Sequence, residues 1–102
     1  MKVIIHHAPR MAFMPTLEEV ATDFATGNYV KVAAVEATDL EDAYRLSNSI
    51  ESLWTDNVEV VEKYNLQECK GKFGARSSSV GDVFEVDGVF HAVLSIGFKP
   101  LP

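Results

Sequence analysis

The chain has little cysteine, no long apolar run and few basic residues, and each shortage excludes a class of protein. Its single cysteine, Cys69, cannot form an internal disulfide, which is typical of a reducing compartment. No apolar run approaches the ~20 residues that a membrane-spanning helix needs, and the start of the chain lacks the apolar length of a signal peptide. We therefore expect a cytoplasmic protein without a membrane partner.

Basic residues are few for a protein that binds nucleic acids. Nine lysines and arginines stand against fifteen acids, which gives a net charge of −6 at pH 7. Between Glu18 and Glu62, eleven acidic residues accompany only two basic ones. Proteins that bind nucleic acids neutralise phosphates with a basic face. We therefore do not expect a nucleic-acid partner.

Length and composition indicate one globular domain over residues 1–102. A chain of 102 residues is close to the commonest domain size. Its 47% hydrophobic and 24% charged residues are ordinary for a soluble fold, and it is long enough to bury one core.

The first forty residues predict a strand, a helix and a second strand. Lys2–His7 has the composition of a strand. Thr16 and Glu19 have the spacing of a capping box, and they open an apolar helical face that Gly27 can end. The segment from 29 to 37 is apolar on both alternating faces, which favours an inner strand covered on each side.

The middle of the chain predicts a second helix and a third strand. Thr38 and Glu41 repeat the capping-box spacing, and 58–61 has the composition of a short strand. The inward face of this helix is predicted to contain Leu40, Ala43, Tyr44, Ser47 and Ile50. We expect an α+β fold, with a mainly antiparallel sheet of about four to five strands, two helices packed on it and a C-terminal β-hairpin. A second sheet face would need a cover, either an oligomer interface or the N-terminal loop.

The register of the C-terminal hairpin depends on its turn at Asp87-Gly88. A two-residue type I′ turn would place Glu85 opposite Phe90, on the same face as the apolar residues of the second strand. A three-residue loop with Gly88 as a bulge would move Glu85 to the other face, together with His91. Because one slip exchanges the faces, burial favours the bulged loop, which we predict.

Residues that could bind a metal or act as nucleophiles do not form a pattern. His6 and His7 are adjacent on a strand, so they point to opposite faces and cannot bind one ion together. No histidine is spaced from Cys69 in the sequence in a way that would indicate a catalytic cysteine–histidine pair. The acids at 39–42 are explained by helix capping. We expect no catalytic residues, no metal and no cofactor, which favours a protein that is not an enzyme.

The loop before the hairpin offers two alternatives. Arg76 with Ser77, Ser78 and Ser79 has the donors of an anion-binding loop, although it lacks the spacing of a P-loop. Alternatively, Arg76 pairs with Asp82 or Glu85 while the serine hydroxyls satisfy the turn. The candidate binding residues are Arg76, Ser77, Ser79, Glu85 and His91.

A second candidate surface is the loop after the first strand. Met11, Phe13 and Met14 are costly to leave in water, so the loop must pack somewhere. Packing on the chain's own core is the default, whereas packing on a second subunit or another protein is the alternative, because methionine and aromatic residues suit interfaces.

The order and spacing of several short motifs resemble those of a known family. The motifs are Leu40–Ile50, Trp54, Asn57, Arg76–Asp82, Gly88 and Ile96–Phe98. Over residues 30–101 the chain resembles a small uncharacterised family carried by tailed bacteriophages and plasmids, and its Arg-Ser-x-Ser-Val-Gly-Asp to Gly-Phe portion is similar to a YodL-like domain. The resemblance implies origin in a mobile element and action in the cytoplasm of a bacterial host. It assigns no catalytic residue.

Two hypotheses of function follow from the sequence. The first is a non-enzymatic protein-interaction module that binds a host protein or a second copy of itself. The second is a small-anion or nucleotide site on Arg76 and the loop of Ser77 to Ser79.

Overall fold

A computed structural model describes residues 1–9, 13–48, 54–64 and 76–102. The described chain contains six strands, two α-helices and one short 3-10 helix over Trp54–Asp56. The strands are β1 (Lys2–His7), β2 (Val30–Glu36), β3 (Val60–Lys63), β4 (Val83–Val86), β5 (Val89–Leu94) and β6 (Gly97–Pro100). The helices are α1 (Leu17–Ala25) and α2 (Leu40–Leu46). The predicted α+β fold is confirmed, with six strands where four to five were expected.

The six strands form one antiparallel sheet in the order β3-β2-β1-β4-β5-β6. Each half of the sheet contains three strands that lie in chain order, and the two halves meet where β1 pairs with β4 through only three residue pairs. β2 lies inside the sheet between β1 and β3, and Val32–Val35 are fully buried. The prediction that this segment is an inner strand is therefore confirmed.

The two helices pack on opposite faces of the sheet. Successive strand residues point to opposite sides, and the cores divide accordingly: Val20 of α1 packs with Val83 of β4, whereas Ala43 of α2 packs with the next residue, Phe84. The face that we expected to need a separate cover is thus covered by a helix of the same chain. We call these the α1 face and the α2 face.

The ends of the helices follow local sequence signals. Thr16 caps α1 in a reciprocal capping box with Glu19, and Gly27 follows the helix with φ +77°, as predicted. The cap of α2 differs by one residue. Asp39, not Thr38, accepts the hydrogen bond from the backbone N–H of Asp42. An aspartate caps at least as well as a threonine, and it satisfies the first turn one residue later.

The predicted bulged hairpin is wrong. Val86 pairs with Val89 and Glu85 pairs with Phe90, so the turn contains two residues, Asp87 at φ 50° and Gly88 at φ 80°. These angles match a type I′ turn. The prediction assumed one apolar face, but both faces of this sheet are packed, so either register buries apolar side chains. The carboxylate of Glu85 is accommodated on the α1 face by His6, at 2.9 Å.

Some predictions fall outside the described residues, namely those on Met11, Ile50 and Cys69. On the predicted inward face of α2, Ala43 and Ser47 are buried and Leu40 and Tyr44 are half-buried. Neither α1 nor α2 has the length and apolarity that a membrane-crossing helix requires.

Candidate functional site

A buried polar cluster lies at the end of the sheet where β1 stops and β4 begins. It consists of His7, the last residue of β1, together with Arg76, Ser78 and Asp82 from the loop that leads into β4. We call these four residues the Asp82 cluster. Three of the four side chains are buried, and Arg76 is half-buried. The loop alternative in which Arg76 pairs with Asp82 is the one that the structure shows.

Arg76 and Asp82 form a bidentate ion pair. The guanidinium Nη1 and Nη2 donate to Oδ2 and Oδ1 of Asp82 at 2.9 and 2.6 Å. The same nitrogens donate to the carbonyls of Ser77 and Ala8. The remaining Nε–H makes no hydrogen bond to a described residue. Because four of the five N–H donors of Arg76 are used within the chain, this geometry favours the structural alternative over the anion-binding one.

Asp82 is completely buried, and its carboxylate is satisfied by the backbone as well as by Arg76. The N–H groups of Ala8 and Ser79 donate to Oδ1 and Oδ2 at 2.9 and 2.8 Å. A buried charge is tolerated only when it is paired and hydrogen-bonded. Asp82 thus accepts four charge-assisted hydrogen bonds. The one from Ala8, together with the bond from Arg76 to the carbonyl of Ala8, fastens the end of β1 to the loop before β4.

His7 lies on the α2 face, against the ring of Trp54 at 6.0 Å between centroids. Its Nε2 is 3.2 Å from Ser78 Oγ and 3.8 Å from Asp82 Oδ2. Burial lowers the pKa of His7 to about 4, and the Arg76 charge acts in the same direction, against the opposing effect of Asp82. His7 is therefore neutral at pH 7.

The Asp82 cluster does not have the geometry of a catalytic triad. In a triad, the acid holds one imidazole nitrogen while the serine faces the other. Here Ser78 and Asp82 both face Nε2 of His7. In addition, Ser78 is 1% exposed, so no substrate could reach its hydroxyl.

The loop of the cluster is also joined to α2 and to the 3-10 helix. The N–H of Ser78 donates to the carbonyl of Ser47, the side chain of Asn48 donates to the carbonyl of Ser78, and the indole N–H of Trp54 donates to the carbonyl of Arg76. On the other side, the hydroxyl of Tyr29 donates to the carbonyl of Gly81. The loop thus connects elements from both halves of the sheet.

The other candidate binding residues do not converge on the cluster. Ser79 takes part through its backbone N–H, and Ser77 through its carbonyl. Glu85 lies on the α1 face beside His6, which packs on Phe24 and Phe90. His91 pairs with Phe84 and therefore lies on the α2 face. The expectation that Glu85 and His91 share one face is wrong, because it depended on the bulged turn.

His6 and His7 lie on opposite faces, as predicted, and each contacts an acid of the segment that contains β4. His6 pairs with Glu85, whereas His7 approaches Asp82. Within the described residues, no three histidine, cysteine or acidic side chains are placed to hold a metal ion. Nδ1 of His91 is buried and has no hydrogen-bond partner in that same part of the chain.

Two apolar side chains of the loop that leaves β1 are exposed. Phe13 is 93% exposed and Met14 is 62% exposed. Packing on the chain's own core, which the sequence made the default, is therefore not observed for these two residues. Met14 has φ 45°, a left-handed conformation that is uncommon for a residue other than glycine. Phe13, Met14 and Pro15 form what we call the Phe13 loop.

Sequence reasoning found the Arg76–Asp82 pair but missed the part played by His7. Arg76 and Asp82 are six residues apart, and complementary charges at that distance are visible in the sequence. His7 and Ser78 are separated by 71 residues and meet only through the pairing of β1 with β4. No local signal indicates that contact.

Comparison of the chain with protein-family models, with curated proteins and with solved structures finds no match. The resemblance to phage and plasmid proteins therefore stays a prediction.

Proposed function

We propose that this chain is a non-enzymatic protein-interaction module and that the Phe13 loop is its contact surface. The observation that carries the proposal is the 93% exposure of Phe13. A buried phenylalanine side chain contributes about 1.5–3 kcal/mol, and this one forgoes that contribution in the isolated chain. Contact with another protein would recover it, since aromatic residues and methionine are enriched at the centres of interfaces.

The chain is held at Ala8, before the Phe13 loop, and at Thr16, directly after it. Before it, the N–H and the carbonyl of Ala8 bind Asp82 and Arg76. After it, Thr16 forms the capping box of α1. A loop with fixed ends loses less conformational entropy when it binds, and this pre-organisation increases affinity. The Asp82 cluster therefore supports the proposal as an anchor for the loop.

The chemistry of the described residues favours binding over catalysis. The hydroxyl of Ser78 is buried, and most donors of Arg76 are used within the chain. We propose, following the resemblance, that a phage or plasmid supplies the protein and that its partner is a protein of the bacterial host. A second copy of the chain is the other partner that the exposed loop could bind.

Affinity capture with matched variants tests the proposal. Tagged wild-type protein, Phe13→Ser and Val58→Ser are incubated with bacterial lysate, and light scattering measures their oligomeric state. Val58 is the control because it is 90% exposed but precedes β3, at the opposite end of the sheet. We expect a discrete partner, or a dimer, with wild-type protein and Val58→Ser.

The same partner or dimer should be lost with Phe13→Ser. Substitution of Phe13 by leucine should retain it, because the contact depends on apolar area. The proposed role of the loop would be contradicted if wild type and all variants were monomers that capture no protein. It would also be contradicted if Phe13→Ser captured as much partner as wild type.

A further inference from the structure

An open groove of about 500 Å³ lies between the start of α2 and the turn from β5 to β6. Its floor is aromatic: Tyr44 meets Phe98 edge to face at 6.4 Å, and Phe98 stacks on Phe84 at 5.8 Å. Ile96 borders it and is 81% exposed. We call this the hairpin groove, and its lining includes Glu41, Tyr44, Val80, Val93, Ile96 and Phe98.

One acidic side chain lies beside this apolar floor. Among the described residues of the lining, Glu41 is the charged one. It is exposed, and it makes no hydrogen bond or ion pair with any described residue. Its neighbours on α2 differ, because Asp39 caps the helix and Asp42 pairs with Arg45. The groove therefore complements a ligand that is apolar at one point and positively charged at another.

The backbone of β6 offers a further contact at the same place. The N–H of Leu101 donates to the carbonyl of Phe90, and Lys99 pairs with Ala92. Since the backbone groups of alternate residues point to opposite edges of a strand, those of Phe98 point away from β5, toward the open edge. Pro100 occupies the next outward position and has no N–H to donate. A partner strand can therefore pair only over a short length, around Phe98.

We propose that the hairpin groove docks a short extended segment of a partner protein, with an apolar side chain on the Tyr44–Phe98 floor and a lysine or arginine beside Glu41. Glu41 and Tyr44 are three residues apart on α2, so they are neighbours on the helix surface, about 5–6 Å apart. Residues i and i+2 of an extended segment point to the same side about 7 Å apart, so the apolar and the basic residue are placed two positions apart. A second copy would bring its own Glu41 and a net charge of −6. Charge therefore favours a basic partner over self-association.

This surface is separate from the Phe13 loop, so the two proposals can fail independently. The probe is the peptide acetyl-Lys-Ser-Leu-Ser-Lys-amide, titrated to several millimolar into ¹⁵N-labelled protein and followed by NMR. The peptide with glutamate at both ends and the peptide with serine in place of leucine are the matched ligands. Glu41→Gln is the test variant, and Glu18→Gln, an exposed acid on α1, is its control.

The expected result is shifts of the Glu41, Tyr44, Ile96 and Phe98 amides with the lysine–leucine peptide, and weaker shifts with both matched ligands. Glu41→Gln should weaken binding about three- to fivefold, as expected for an exposed ion pair, whereas Glu18→Gln should leave it unchanged.

Three results would overturn the proposal. The first is no shift with any peptide, and the second is equal binding of the lysine and glutamate peptides. The third is shifts at the groove that depend on protein concentration without peptide, because these would identify a second copy as the occupant. Loss of partner capture by Phe13→Ser, with peptide binding intact, would concern the loop alone.

Discussion

The Asp82 cluster and the Phe13 loop are separated by only a few residues of chain, yet the cluster is buried and the loop is exposed to water. In the cluster, the charge of Asp82 is fully buried and has four hydrogen bonds, from Arg76, Ala8 and Ser79. In the loop, the ring of Phe13 is almost fully exposed. A buried charge that loses its partner costs several kcal/mol, whereas an exposed ring contributes little to folding.

This difference assigns different roles to the two regions. The cluster fastens β1 to the loop before β4 and so contributes to stability. The exposed Phe13 loop should contribute little to stability, and in our proposal its apolar surface serves binding. Substitutions in the cluster should therefore change the free energy of unfolding, and substitutions in the loop should change association.

The largest effect is expected for Asp82→Asn. This substitution leaves the charge of Arg76 without its partner, and we expect a loss of about 3–5 kcal/mol in the free energy of unfolding. Urea unfolding measures it. Asp56→Asn is the matched control, because Asp56 pairs with Lys63 on the surface at 3.5 Å and should cost less than about 1 kcal/mol. Equal losses in the two variants would contradict the anchoring role of the cluster.

The second effect concerns pH. Burial lowers the pKa of His7 from 6.5 in the unfolded chain to about 4 in the folded protein. Between these values the unfolded chain takes up the proton first. The contribution of His7 to the free energy of unfolding is therefore fully present above pH 6.5 and is lost as the pH falls toward 4. This difference in proton uptake lowers the free energy of unfolding by about 3 kcal/mol over that pH range.

Unfolding free energies of wild type and His7→Gln between pH 4 and 7 check this pH effect. The variant should lack that part of the pH dependence. Parallel curves for the two proteins would show that His7 titrates normally and would weaken the view that the cluster excludes water.

A smaller effect is expected at the β4–β5 turn. A type I′ turn requires positive φ at both Asp87 and Gly88, and a β-branched residue resists that conformation. Asp87→Val should therefore destabilise the protein by about 1–2 kcal/mol, while Asp87→Asn should be nearly neutral. Thermal and urea unfolding distinguish these values. If valine were tolerated at position 87, the two-residue turn would be the wrong description.

The smallest effect on stability is expected for Phe13→Ser, within about 0.5 kcal/mol of wild type. Phe84→Ser, in the buried core of the α2 face, should in contrast cost about 3–5 kcal/mol or prevent folding. A large loss in Phe13→Ser would mean that the ring packs on its own domain and would remove the basis of the proposed function.

The parts of the fold that the sequence predicts are those governed by local signals. The capping box of Thr16 and Glu19 and the glycine at position 27 define α1, because each acts within a few residues. The hairpin register was not predictable in this way. It depends on His6 and α1 accommodating Glu85, and His6 is 79 residues away from Glu85 in the chain.

The candidate site divides along the same line. The Arg76–Asp82 pair is short-range and was among the alternatives, whereas the contact of His7 with Ser78 depends on the order of strands in the sheet. The exposure of Phe13 could not be predicted either. Composition favours burial of an aromatic ring, and only the path of the chain decides whether a core is within reach.

The measurement that tests the central claim most directly is photo-crosslinking from position 13. A photoreactive benzoylphenylalanine replaces Phe13 in one protein and Val58 in another, and each is irradiated in lysate and alone. Our account predicts a discrete crosslinked product, with a partner protein or a second copy, from position 13 and none from position 58. The same products from both positions, or none from position 13, would contradict it.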